Sequence, residues 1–425
     1  MNTGRIACLL ASFAVAFAAE AAVRIVEPAE DATVPVLWPE IKSFLDLPRE
    51  TRKTYRDSPN TSEKSALKAR KGTAKPVCLK WKGDAKRYGV KVVRLPDGKE
   101  FFSADVDSNS VCVTGRLEIA RRWKWTVTDG KDAATGTFRT EDRAPRILDW
   151  PGVKNVRDIG GRIGLGGRRV KQGLVFRSGG LNNNAEYPYY TYEEILDLHK
   201  QGKLATAGVG ISRGKGAEYE QTLRKGKKLD KGFLRLIKAP PEKPGAPKLD
   251  EMGRKFILDT YGIRSDLDFR GDWECFGMTG SPLGDDVAWY HYMWIGGYGN
   301  VVKPDGRASA ARAFSVFLEP KNYPIDFHCI GGTDRTGAFA YLLNGLLGVE
   351  EEELIRDYEM SFIGSAGVDK RHYGWLTNLV GAVRSLPGET IAEKLKGYFV
   401  SLGFTPEQVE SVREFLLEPA EGEKR

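Results

Sequence analysis

The sequence predicts two folded regions in series: an all-β sandwich, then an α/β domain whose central, mostly parallel sheet is flanked by helices. Up to about residue 142 the chain shows short β-type runs separated by turn signals. Much further on, a short apolar strand, Ile325 to His328, leads through a glycine-containing loop into an apolar helix, Ala338 to Leu347. A further run, Ile263 to Phe269, reads as a strand beside the first. The 425 residues suffice for two or three domains, at ~100–200 residues each. With 29% charged and 10% aromatic residues, a wholly disordered chain is excluded. Five Cys are too few for a disulfide scaffold, and a net charge of +8 does not by itself point to nucleic acid. Beyond the N-terminus no uncharged apolar run reaches ~18 residues, so no internal transmembrane helix is expected.

At the N-terminus Arg5 precedes an apolar run, Ile6 to Ala19, and the small-residue patterns Ala16-Phe17-Ala18 and Ala19-Glu20-Ala21 follow. This order predicts a signal peptide over 1–22 and a secreted or periplasmic mature protein. Cys8 lies inside the apolar run, which argues against a lipid anchor. Cys78, Cys112, Cys275 and Cys329 would then meet oxidising surroundings.

In the front region, 23–142, the runs 77–81, 88–93 and 123–127 read as strands, with hairpin turns at Pro96-Asp97-Gly98 and Thr128-Asp129-Gly130-Lys131. Their spacing and the pair Trp123 and Trp125 suggest the sandwich, and the stretch resembles a fibronectin type III-like domain. Cys78 and Cys112 fall in predicted strands and are expected as two buried thiols, with a bridge as the alternative. Residues 51–100 hold fifteen Lys/Arg against five Asp/Glu. Arg49 to Lys75 reads as a solvated, poorly periodic segment. The alternative is that residues 51–100 dock on an anionic envelope surface.

The chemistry concentrates in residues 324–348, where Cys329 stands six residues before Arg335, with Gly331 and Gly332 between and Thr336 after. A glycine loop between a strand and a buried helix forms a nest of backbone N–H groups, and the helix N-terminus adds partial positive charge. Such a site suits an anion with several oxygens, held by Ile330, Gly331, Gly332, Thr333, Thr336 and Gly337. A cysteine on its floor is shifted toward thiolate. Arg335 can grip two phosphate oxygens with its fork, and Thr336 can hydrogen-bond the thiolate. Cys329 is therefore the candidate nucleophile for a two-step phosphoryl transfer through a phosphocysteine. No metal and no cofactor is called for.

His328-Cys329-x5-Arg335-Thr336-Gly337 resembles the signature of cysteine-dependent protein tyrosine phosphatases. More narrowly, the stretch 152–418 resembles bacterial tyrosine phosphatases whose loop reads His-Cys-x-x-Gly-x-Asp-Arg-Thr-Gly. Asn155 to Gly161, Val175 to Gly179, Asp268-Phe269-Arg270, Asp357-Tyr358 and the tail from Leu402 to Arg413 match further motifs of that family. The resemblance implies a phosphatase domain over 143–420 with an insertion at 182–250, acting on phosphotyrosine proteins or small phosphomonoesters. No Trp-Pro-Asp acid loop is present, so Asp334, inside the loop, is the first candidate for general acid. The arrangement resembles the bacterial subgroup and the myotubularins. Asp268 is the second, either as acid or as a structural partner of Arg270 or Arg157; Asp272, Asp285 and Asp286 are loop alternatives. Thr333 stands where members acting on phosphoinositides carry Lys, which weighs against an inositol phosphate or lipid substrate.

His328 is expected to orient the loop through backbone hydrogen bonds. Arg157, Asp158 and Arg177 are expected as an ionic scaffold beneath the site, with substrate contact as the alternative. In the insertion, Tyr187, Tyr189, Tyr190 and Tyr192, followed by a basic run and a Pro-rich stretch, read either as a lid or as a surface decoration. Cys275 is a candidate resolving partner for Cys329. Thr405-Pro406-Glu407-Gln408 opens a C-terminal structural helix. Two other functions stay open: an inositol phosphate or phosphoinositide phosphatase of the same mechanism, and a non-catalytic envelope-binding protein that captures phosphorylated ligands.

Overall fold

The computed structural model describes residues 23–55, 61–70, 72–183, 190–204, 213–230, 239, 245–246, 248–275, 277–294, 298–364 and 370–420. The predicted signal peptide lies outside them. The chain forms two compact units that interleave along the sequence. One takes in the chain as far as Thr33, then Cys78–Cys112 and Arg122–Arg139. The other takes in Val34–Val77, Val113–Arg121 and the chain from Thr140 onward. Among the described residues no helix is long and apolar enough to cross a membrane.

The first unit is built on eight strands: β1 Arg24–Glu27, β2 Ala32–Val34, β3 Val77–Lys82, β4 Tyr88–Leu95, β5 Glu100–Val106, β6 Ser110–Val113, β7 Arg122–Thr128 and β8 Ala133–Thr140. They form a three-stranded sheet, β1-β3-β6, and a five-stranded sheet, β2-β8-β7-β4-β5. The three strand readings at 77–81, 88–93 and 123–127 fall on β3, β4 and β7. Both turn signals close antiparallel pairs, β4 with β5 and β7 with β8. Asp129 stabilises the second turn by accepting from the amides of Lys131 and Asp132, both at 2.8 Å. Alternation along β7 buries Trp123, Trp125 and Val127, and Trp81 of β3 stands 6.4 Å from Trp125.

Cys78 and Cys112 are joined by a disulfide, which corrects the expectation of two free thiols. The two cysteines are 34 positions apart. They face each other because β3 and β6 are neighbours in one sheet, a pairing that alternation within each strand does not reveal.

A second correction concerns the stretch expected to be β-rich and then solvated. Pro39–Asp46, Arg49–Thr54 and Ser62–Ala69 are helices. In the first, Ile41, Phe44 and Leu45 recur at helical spacing and are buried in a cluster with Leu67 and Met360. Several cations of the basic stretch are engaged internally. Arg52 is fully buried, and Arg70 lies 3.9 Å over the Trp38 ring and 2.7 Å from Glu40. A solvated segment is expected from low hydrophobicity; here ion pairs and stacking supply what apolar periodicity lacks.

The second unit is centred on a six-stranded sheet of β9 Arg146–Ile147, β10 Arg157–Asp158, β11 Val175–Ser178, β12 Ser265–Asp268, β13 Ala288–His291 and β14 Ile325–His328, in the order β13-β12-β14-β11-β10-β9. The β12–β13, β12–β14 and β11–β14 pairs are parallel; the two at the β9 edge are antiparallel. Every residue of β11, β12 and β14 is buried, as strands covered on both faces should be. The helix Asp334–Leu346 buries all of Thr336 to Leu346. At ~1.5–3 kcal/mol for each large apolar side chain, that burial holds its N-terminus in place. The C-terminal helix Pro406–Leu416 opens with the expected capping box between Thr405 and Gln408 and buries Val409, Val412 and Leu416.

Within the insertion, the helices Tyr192–Lys200 and Arg213–Arg224 contribute to a small apolar cluster of Ile195, Leu204, Tyr219, Leu223 and Leu229. Tyr190 and Tyr192 pack on this cluster. Tyr187, Tyr189 and most of the Pro-rich stretch lie outside the described residues.

Candidate active site

Parallel pairing sets the geometry. Ser178 of β11 and Asp268 of β12 both stand in register with His328, so three strands deliver their C-terminal ends to one edge, where Cys329 follows. Cys329 is buried, with 3% of its surface exposed. The loop it begins is tied down from outside by its carbonyls. Ile330 O accepts from the Gly180 amide at 3.0 Å, Gly331 O from Asn155 Nδ2 at 3.0 Å, and Gly332 O from Arg177 Nη2 at 2.6 Å. A loop whose carbonyls are held outward is free to turn N–H groups inward as an anion nest. Gly332 has a φ of +66°, and a Cβ there would sit 2.4 Å from Ser178 O, so only glycine fits.

Beneath the loop lies a buried ionic cluster. Asp357 receives Arg157 Nε at 2.9 Å, Arg162 Nη2 at 3.0 Å, and a hydrogen bond from Arg177. Burial alone would raise the Asp357 carboxyl, but the three guanidiniums hold it far below the usual range. Asp158 pairs instead with Arg146 at 3.0 Å and accepts from the Gly160 and Gly173 amides. Arg157, Asp158 and Arg177 are at most 1% exposed, as a scaffold would be.

His328 is buried behind the loop. Its Nδ1 donates to Cys329 O at 3.2 Å and its Nε2 lies 2.8 Å from Asp266 Oδ1. Burial works against its charge, yet Asp268 and Asp266 outweigh burial and raise it to about 9, so it is an imidazolium at neutral pH.

For the Cys329 thiol, burial pushes its pKa upward. The Arg335 guanidinium, with the Thr336 hydroxyl and amide beside it, outweighs this and leaves it below the ordinary thiol value. Thr336 is fully buried and Thr333 nearly so, whereas Ile330 is 37% exposed. Gly337 packs under a ring: a Cβ there would meet Tyr358 Cδ2 at 2.6 Å.

Arg335 is oriented by a residue that sequence reading missed. Glu274 receives Nη1 at 2.5 Å and Nη2 at 3.0 Å, and Nη1 also donates to Phe269 O at 3.2 Å. Glu274 ends the short turn Asp272–Glu274 that follows β12, and the only sequence signal for it is an acidic residue just beyond that strand.

The two candidate acids differ sharply. Asp334 opens the helix, with its side chain 17% exposed. It accepts from Tyr358 Oη at 2.5 Å and lies 3.4 Å from His372 Nε2. Asp268 is fully buried and doubly paired with Arg270, at 2.9 Å from Nε to Oδ1 and 2.6 Å from Nη2 to Oδ2. Burial favours its neutral form, but His328 and Arg270 hold it far below the usual carboxylate range. Asp272, Asp285 and Asp286 are exposed on loops. Cys275 is a buried free thiol 3.4 Å from Asp268 Oδ2, and burial together with that carboxylate pushes its pKa well above the ordinary value. Among the described residues, no group of His, Cys, Asp and Glu is placed to hold a metal ion.

Comparison with known proteins adds two findings. A family model described as the tyrosine phosphatase family matches residues 148–198 and 245–418, more than half of the chain. The gap in that match falls inside the 182–250 stretch. A Cupriavidus necator protein, provisionally named as a tyrosine-protein phosphatase, is 24% identical over 216 residues, covering 50% of this chain and 61% of that protein.

Proposed function

Because the chain belongs to the tyrosine phosphatase family, we propose that it hydrolyses phosphomonoesters, phosphotyrosine foremost, through a phosphocysteine on Cys329. The observation that carries this is a thiol shifted toward thiolate, at the end of a buried strand and the mouth of a helix N-terminus, with Arg335 beside it. Cys329 Sγ attacks phosphorus and the bond to the leaving oxygen breaks. Asp334 gives that oxygen its proton. Water then attacks the phosphocysteine, Asp334 takes a proton from it, and the Thr336 hydroxyl stabilises the departing thiolate. Arg335, aimed by Glu274, and the loop N–H groups carry the charge on the phosphoryl oxygens.

Asp334 rather than Asp268 fills the acid role, because a carboxylate locked against Arg270 and an imidazolium has no proton to give at neutral pH. Export is part of the reading: the Ile6 to Ala19 run and the Cys78–Cys112 disulfide both suit an oxidising compartment.

The test compares wild type with Cys329→Ser on p-nitrophenyl phosphate in the presence of EDTA, with phosphotyrosine peptides and inositol phosphates alongside. Turnover by wild type and none by the variant is expected, with phosphotyrosine preferred. Equal activity in both proteins would overturn the cysteine mechanism.

A further inference from the structure

We propose that Arg52, which lies far upstream of residue 148 where the family match begins, is a positioning residue for Asp334. The inference rests on the reading of Asp334 as general acid. Among the side chains that hold that carboxylate are Tyr358 from the helix Glu351–Glu359 and His372 from the helix Lys370–Arg384. Gly337 lets the Tyr358 ring close against the Asp334 helix. What keeps the two helices at the spacing the pair requires is found one residue further along each of them.

Next to Tyr358 is Glu359, and next to His372 is Tyr373. Both bind Arg52. The Arg52 Nε donates to the Glu359 carboxylate and its Nη2 to Glu352 Oε1 at 2.5 Å. Its backbone carbonyl accepts from Tyr373 Oη at 2.9 Å, and that hydroxyl is also 3.4 Å from Glu359 Oε1. Arg52 and Glu359 are both fully shielded from solvent. One residue therefore ties the Tyr358–Glu359 step to the His372–Tyr373 step.

The tie is rigid for a physical reason. A buried ion pair that loses one partner strands the other charge in a low-dielectric interior, so the pair resists opening. Lysine cannot replace the arginine equivalently, because only the planar fork reaches Glu359 and Glu352 together. The consequence for chemistry is selective. In the step that forms the phosphocysteine, a general acid displaced by about 1 Å loses on the order of 10²-fold in rate, but only where the leaving group needs its proton. Esters of acidic phenols leave unaided; esters of phenol itself do not.

The full chain is tested with phenyl phosphate and 2,4-dinitrophenyl phosphate, comparing Arg52→Met, Arg52→Lys and Asp334→Asn with wild type. Arg52→Met is expected to lose about 10- to 100-fold in kcat/KM, which reports only the steps up to leaving-group departure, on phenyl phosphate and little on the dinitrophenyl ester, with Arg52→Lys between. An equal loss on both esters, or none on either, overturns the proposal. Tyr373→Phe keeps every charge and removes only the hydroxyl link; it should show the same selectivity at smaller size, and its absence overturns the proposal even if Arg52→Met fails to fold. Selective loss in Asp334→Asn without it in the Arg52 variants defeats this inference alone. No selective loss in Asp334→Asn defeats the acid assignment, and the inference with it.

Discussion

Cys329 and Cys275 are both buried free thiols in the same unit, yet their surroundings push them in opposite directions. Burial raises each, but Cys329 faces Arg335 and the Thr336 donors, whereas Cys275 faces the Asp268 carboxylate. In native protein, iodoacetamide should therefore modify Cys329 first. Its rate should rise with pH and level off at a midpoint below the ordinary thiol value of about 8.5, and phosphate should protect it. Peptide mapping of the labelled residue checks this; preferential labelling of Cys275 would contradict it. The candidate reactive residues could be named from sequence because Cys329, Asp334, Arg335 and Thr336 lie within one short run. Their partners were not. Glu274 reaches Arg335 from 61 positions away, and Tyr358 reaches Asp334 from 24. Those distances in sequence close only when strands and helices pack.

At the scale of elements, the loop is shaped from behind by Asn155, Arg177 and the Asp357 cluster. Removing the Asp357 charge leaves three buried guanidiniums facing one another, a loss of about 3–5 kcal/mol. Asp357→Asn should thus lower the unfolding free energy measured in urea by that amount and shift the Gly332 carbonyl held by Arg177. The pH dependence has a definite sign. The folded carboxyl is held below its unfolded value of about 3.9, so the stabilisation is complete above that pH and is lost as pH falls toward the folded value. Equal acid sensitivity in wild type and variant would contradict the assignment. Strands and buried helices here were readable from apolar patterning: Ile325 to His328 appears as read, and Asp268 lies beside it. The helices between Pro39 and Ala69 were not readable as such. Arg52 is a buried helix residue only because Glu359 and Glu352, some three hundred positions later, receive it.

For the whole molecule, the sequence reading separated a strand-rich front from an α/β region, and the sheets bear out that coarse division. The units themselves interleave: Val34–Val77 and Val113–Arg121 belong with the sheet that carries Cys329, a partition that no composition shift marks. The pairing of Cys78 with Cys112 was likewise open until β3 and β6 were seen to be neighbours. All of this architecture converges on one chemical claim, that phosphate is carried on Cys329 between two steps. Wild-type protein turning over a phosphotyrosine peptide should be quenched in acid within milliseconds and digested. The account predicts one phosphoryl group on the peptide containing Cys329, absent from Cys329→Ser. Turnover with no phosphorylated Cys329 peptide at any quench time would contradict it.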